Sequence, residues 1–288
     1  MKNVIFYEFF SINGSFIDML DYYVFMKSIN INIELNILTN VENIQDILKK
    51  IINDKYINIS LNINEIVILK YNMYTQFVCN IVLIFDWGSL KNTLFKYNKL
   101  VYLYEHSVNN KISDILYNRD NVSFYNEMYF GKGIKYINKI NFKNMKKIEN
   151  KKNRNIGYIN CLSKGTPEVI EEILKKYNFD KLIITASSDM FDNIPNVQIY
   201  KSHPKDFFTL FDTYIYYHDG IYFDPRPRLF HECIFYNKKI IYINKHNIKD
   251  GSYYRYKDAI ENGWEHRNLT EDDEIIKLFK TNNLNENI

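Results

Sequence analysis

Asp224-Pro-Arg-Pro-Arg-Leu-Phe-His-Glu232 runs directly into Cys233-Ile-Phe-Tyr-Asn-Lys-Lys-Ile-Ile-Tyr-Ile-Asn244. Two carboxylates bracket seven residues, and two of the seven are arginines. The prolines stiffen the approach, because each fixes its own φ and restricts the residue before it. An apolar helical turn follows, then a turn signal at Asn237-Lys238, then a β run over residues 239–243. The order is loop, short helix, strand, with charge gathered where the helix begins. Arginines beside a helix N-terminus suit phosphate. A carboxylate a turn further on can accept two hydroxyls, as a ribose diol offers.

A helix handing over to a buried strand is the rhythm of a parallel α/β sheet, and the rest of the chain repeats it. Upstream, the apolar spacing predicts strands over residues 4–10, 34–38, 65–69, 80–85 and 99–104, with helices over 16–28 and 43–53. Ser11-Ile-Asn-Gly14-Ser is a turn between the first strand and the first helix. Residues 143–155 are hydrophilic and lysine-rich, and form the best linker. After them the alternation restarts. Strands are expected over 155–159, 181–185, 197–200 and 213–217, with helices over 168–177 and 270–280. Thr166 as cap, Pro167 at the first helical position and acids in the first turn mark the start of the 168–177 helix. Two domains follow, 1–145 and 154–288, each an α/β half. In such sheets a ligand sits at the C-terminal ends of the strands.

The chain has 288 residues, and 46% of them are apolar, enough to fill a core. Heavy use of Asn, Ile, Lys and Tyr reads as an AT-rich coding bias, which weakens any argument from Asn-rich or Tyr-rich stretches. A net charge of +3 permits a polyanionic acceptor without requiring one. Cys79, Cys161 and Cys233 lie far apart and form no CxxC, so reduced, buried thiols in a cytoplasmic protein are expected. Glu8 interrupts the first apolar run and no small-residue cleavage site follows, so a signal peptide is not expected. No run reaches about 18 apolar residues, the length of a membrane span. No pair of His, Cys, Asp or Glu has metal-ligand spacing, no Asp-x-Asp is present, and neither a Walker loop nor Gly-x-Ser-x-Gly occurs.

Four elements stand in a fixed order: the Gly14 loop, Glu105-His106, Lys164-Gly165, and Asp224-x7-Glu232. That order resembles retaining GT-B glycosyltransferases, two Rossmann-like domains facing each other across a cleft. Glu105-His106-Ser107-Val108, after the 99–104 strand, is similar to the Asp-His-Ser-Val segment of phage DNA α-glucosyltransferases. The resemblance implies roles. Glu232 would accept hydrogen bonds from the nucleotide ribose. Asp224 stands where the family usually has a glutamate facing the sugar, a shorter side chain. Arg228 would bind the diphosphate through its guanidinium fork and stabilise the leaving group, with Arg226 beside it. Lys164 and Gly165 stand where relatives bind diphosphate. Gly14 would let backbone amides approach phosphate or sugar. His106 would bind a sugar hydroxyl, and Glu105 would orient or deprotonate the acceptor hydroxyl. Asn237 takes the place of a glycine and tolerates the same left-handed backbone.

The reaction so implied moves a sugar from a nucleotide-diphosphate sugar, UDP-glucose or similar, to an acceptor hydroxyl with retention. Neither a metal nor a further cofactor is expected. The favoured acceptor is a 5-hydroxymethyl pyrimidine in double-stranded phage DNA, modified in the host cytoplasm, with lysine-rich segments on phosphates. A lipopolysaccharide or capsule glycosyltransferase is the alternative, with Phe9-Phe10 and residues 16–26 as a membrane-facing patch. A nucleotide-binding protein without turnover is the alternative from another class.

Overall fold

A computed structural model describes residues 2–57, 59, 65–71, 77–85, 95–104, 122–126, 134–135, 139–149, 154–160, 166–186, 189–201, 206–219 and 227–284. Strand β1 (Lys2–Glu8) is buried from Asn3 to Glu8. Continuous burial means that both faces are covered, which is why its sequence is an unbroken apolar run instead of an alternation. It pairs in parallel with β2 (Glu34–Leu38) on one side and β4 (Phe77–Ile84) on the other. The remaining strands of this sheet are β3 (Ile66–Leu69), β5 (Phe95–Tyr104), β6 (Val122–Asn126) and β7 (Ile134–Lys135), and the order is β3-β2-β1-β4-β5-β6-β7.

The second sheet is built the same way from β8 (Ile156–Asn160), β9 (Lys181–Thr185), β10 (Val197–Tyr200), β11 (Thr213–His218) and β12 (Lys239–Asn244), in the order β10-β9-β8-β11-β12. Every ladder in both sheets is parallel. Each order begins third-second-first and then jumps to the fourth strand, the doubly wound arrangement of Rossmann-like domains. The order reverses between β1 and β4 in one sheet and between β8 and β11 in the other. In folds of this kind the loops part at such a reversal and leave room at the C-terminal strand ends.

Helix α1 (Gly14–Ser28) begins two residues before the spacing predicts, because Asn13 caps it and accepts from the Phe16 amide at 2.9 Å. It is buried nearly all round, including Asp18 and Asp21, and Asp21 accepts a 2.5 Å hydrogen bond from the Tyr56 hydroxyl. Helix α2 (Ile44–Lys55) buries one stripe, Ile44, Leu48 and Ile52. Helix α3 (Pro167–Tyr177) starts at the proline, but Thr166 makes no cap to the backbone and donates to the Glu168 carboxylate instead. Helix α4 (Leu229–Phe235) is the short helix of the opening stretch. Helix α5 (Gly251–Asn262) is capped by Asp250, which accepts from the amides of Ser252 and Tyr253. Its tyrosine-rich sequence gives little helical signal. Helix α6 (Glu274–Leu284) starts four residues later than expected. Asp273, not Thr270, accepts from the amide of Ile275 at 3.0 Å.

The sequence predicts a second domain over 154–288. The chain instead divides into Met1–Lys146 with Arg267–Ile288, and Lys147–His266. The return is hydrogen-bonded: Ile140 donates to the Arg267 carbonyl at 2.7 Å and accepts from the Leu269 amide at 2.9 Å. Leu269, Ile275, Ile276 and Phe279 are then buried, so the last helix completes the first core rather than closing the second. The described start of the linker segment is likewise held. Met145 bridges to Tyr56, and the Lys147 ammonium lies 3.5 Å from the Phe235 ring centroid. No helix among the described residues is long and apolar enough to cross a membrane.

Candidate functional site at the second sheet reversal

β8 and β11 lie side by side, with Tyr158 opposite Tyr214 and Ile159 opposite Ile215. The chain leaves β8 after Asn160 and leaves β11 after His218. The segments carrying Lys164-Gly165 and Asp224-x7-Glu232 therefore depart from adjacent strands at the same edge of the sheet. Lys164, Gly165, Asp224 and Arg226 themselves lie outside the described residues, as do Glu105 and His106.

Arg228 and Glu232 are both described. The Arg228 Nε and Nη2 atoms each donate to Glu232 Oε1 at 3.1 Å. Their side chains are 13% and 7% exposed. The helical turn explains the pairing. Arg228 has helical backbone angles and its carbonyl accepts from the Glu232 amide at 3.2 Å, so the two side chains stand one turn apart on one face. The resemblance implied separate tasks, diphosphate for the arginine and ribose for the acid. In the folded chain they first meet each other, and the carboxylate fixes the plane of the guanidinium.

α4 is placed by aromatic packing. Phe230 is fully buried, 5.0 Å from the Tyr216 ring and 5.6 Å from the Tyr256 ring. Tyr242 stacks between Tyr216 and Tyr256, with centroids 5.3 and 4.7 Å away. Next to Phe230, His231 Nε2 lies 3.1 Å from an Asp258 oxygen and ties α4 to α5. Cys233 is buried on the same helix, and burial pushes its thiol well above the ordinary value. Asn237 ends the turn at φ 53, in the left-handed region that asparagine tolerates.

A second polar pair stands at the same edge. His218, the last residue of β11, is fully buried, and its Nε2 is 2.7 Å from an Asp250 oxygen. The Asp250 carboxylate also accepts from the Ser252 hydroxyl at 2.7 Å. Burial alone would raise the Asp250 pKa, but hydrogen bonds from Ser252, His218 and the Tyr253 amide outweigh it and hold the group below the ordinary carboxylate range. Nothing in the local sequence around His218 signals this pair. Its partner stands far along the chain, and no local spacing links them.

Gly14 opens α1 at the C-terminal edge of the first sheet. Among the described residues a Cβ there would meet nothing within 4 Å, and Gly14 is not among the positive-φ residues. Neither packing against the described residues nor backbone angle requires a glycine. Phe9, Phe16 and Met26 are core residues, while Phe10 is exposed. Among the described residues no group of three or more His, Cys, Asp or Glu is placed to hold a metal ion.

No family model, curated protein or solved structure matches this chain.

Proposed function

We propose that the protein is a retaining glycosyltransferase of the GT-B kind, which moves a sugar from a nucleotide diphosphate, UDP-glucose or similar, to an acceptor hydroxyl. One observation carries the reading. A paired, mostly buried Arg228–Glu232 couple follows the strand at the reversal of a doubly wound parallel sheet, where such folds bind phosphate-bearing ligands. In this reading Arg228 meets the diphosphate and neutralises the charge that builds as the anomeric C–O bond breaks. Glu232 holds the guanidinium in plane and accepts from the ribose diol. Lys164, Gly165, Asp224 and Arg226 complete the donor site. The leaving phosphate takes the acceptor proton, Glu105 orients the acceptor hydroxyl, and His106 binds the sugar.

The acceptor we favour is a 5-hydroxymethyl pyrimidine in phage DNA, on the similarity of Glu105-His106-Ser107-Val108 to phage enzymes. The test incubates the protein with radiolabelled nucleotide sugars and, in parallel, hydroxymethylcytosine DNA, unmodified DNA and lipid-linked glycans. Label in hydroxymethylcytosine DNA alone is the expected result. Label in the glycans would replace the acceptor. Donor binding without transfer to any acceptor would mean a nucleotide-binding protein without turnover, and no donor binding would end the reading.

A further inference from the structure

α4 has seven residues, and a helix that short does not hold its own orientation in water. Its roll about its axis comes from what its side chains touch. Successive residues on a helix are turned by about 100°. Phe230 therefore projects away from Arg228 and Glu232, and His231 projects on a flank between those two sides. Phe230 sits among the rings of Tyr216, Tyr242 and Tyr256. Apolar burial is non-directional, so this contact sets the depth of α4 more than its roll. His231 adds a directional contact. Its ring is fully buried, and Nε2 lies 3.1 Å from Asp258 Oδ2. An ionised carboxylate only accepts, so Nε2 is the donor. Asp258 is itself held on α5: its Oδ1 accepts from Asn262 Nδ2 at 2.9 Å, and His266 Nε2 stands 3.7 Å from the same oxygen. The His231 amide donates to the Arg228 carbonyl at 3.1 Å, and Glu232 is the next residue. Whatever fixes the His231 ring thus fixes the turn that carries Arg228 and Glu232.

We infer that Asp258 is a positioning residue of the donor site: through the His231 ring it sets the roll of α4, and with it the direction in which the Arg228–Glu232 couple faces. A roll of about 20° carries a side chain at the surface of a helix roughly 2 Å. A misplacement of about 1 Å can already cost a hundredfold in rate. The nucleotide diphosphate as ligand rests on the glycosyltransferase reading, whereas the control of α4 by Asp258 does not. The acid that does the positioning stands on a different helix, 30 residues after Arg228.

The experiment compares the full parent chain with Asp258→Ala, Asp258→Asn and His231→Phe by NMR. Asp258→Asn keeps an acceptor oxygen for the imidazole N–H. His231→Phe keeps a ring in the buried space but removes the N–H, so it stays informative should Asp258→Ala fold poorly. The Arg228 Nε–H, bonded to Glu232, gives a signal identified by its loss in Arg228→Lys. Its exchange with solvent should quicken about tenfold in Asp258→Ala and His231→Phe, the effect of weakening one hydrogen bond, and stay near the parent rate in Asp258→Asn. Uridine diphosphate affinity should fall about tenfold in the same two proteins. Uridine has no diphosphate to meet Arg228, so its affinity should be the same in all four; general loosening of the unit would weaken it as well. Unchanged Arg228 exchange in Asp258→Ala and His231→Phe, or equal loss of uridine and uridine diphosphate, would overturn the positioning role. Quickened exchange together with a parent protein that binds no uridine diphosphate would count against the donor reading and leave the control of Arg228 by Asp258 standing.

Discussion

Glu232 gives one oxygen to two nitrogens of Arg228, so the two side chains hold each other before any ligand arrives. Removing one member leaves the other charged and mostly buried, which costs about 3–5 kcal/mol for a deeply buried pair. Arg228→Ala is therefore expected to lower both stability and turnover, the latter about a hundredfold or more. Arg228→Lys separates the two effects. It keeps the charge but loses the planar fork, so thermal melting should move less than in Arg228→Ala while turnover still falls. The cysteines give a second check. Burial pushes the Cys79 thiol up to about 11 and raises that of Cys233 well above its ordinary value. In a Cys161→Ser protein no thiol should react with Ellman's reagent at pH 8 until denaturant is added, and prompt reaction of a full equivalent would contradict the packing around β4 or α4.

At the scale of elements, two positions make demands that a substitution can test. A Cβ on Gly157 in β8 would come within 2.9 Å of Leu182 Cδ1 and 3.1 Å of Ile215 Cδ1. Gly157→Ala should cost about 1–3 kcal/mol, as overpacking does, read as a shift in urea midpoint. Asn237 at φ 53 should tolerate glycine with a change of no more than about 1 kcal/mol, and valine should destabilise more. The Asp250 cap adds a pH dependence. Its pKa is depressed in the folded state, so its stabilisation is complete above the unfolded carboxylate value of about 3.9 and disappears as pH falls through the lower folded value. Asp250→Asn should reduce the slope of stability against pH below about 4, and an unchanged slope would remove the cap from the acid response.

Strands other than β6 and β7 were legible because parallel strands buried on both faces need unbroken apolar runs, as 213–217 and 181–185 show. α5 was not, since Tyr253, Tyr254 and Tyr256 serve ring packing and hide the helical stripe. The Arg228–Glu232 contact depends on helical phase: it exists only if the turn already includes Arg228. The His218–Asp250 pair depends on tertiary placement and could not be read from spacing.

For the molecule as a whole, the chain builds two parallel sheets with the same reversal of strand order, and its last segment returns to the first unit. The return joins residues 140 and 268, so truncation after residue 266 should expose Ile140 and the partners of Ile275, Ile276 and Phe279. A chain cut there is expected to unfold its first unit at lower temperature or to aggregate. Retention of the parent melting curve would contradict the assignment of Arg267–Ile288 to that unit.

The account turns on a nucleotide diphosphate held at Arg228 and Glu232. Calorimetric titration of uridine diphosphate into the parent, Arg228→Lys and Glu232→Gln proteins tests it most directly. The account predicts saturable binding by the parent and an affinity about tenfold or more weaker in each variant; no heat from the parent, or equal affinity in all three, would contradict it.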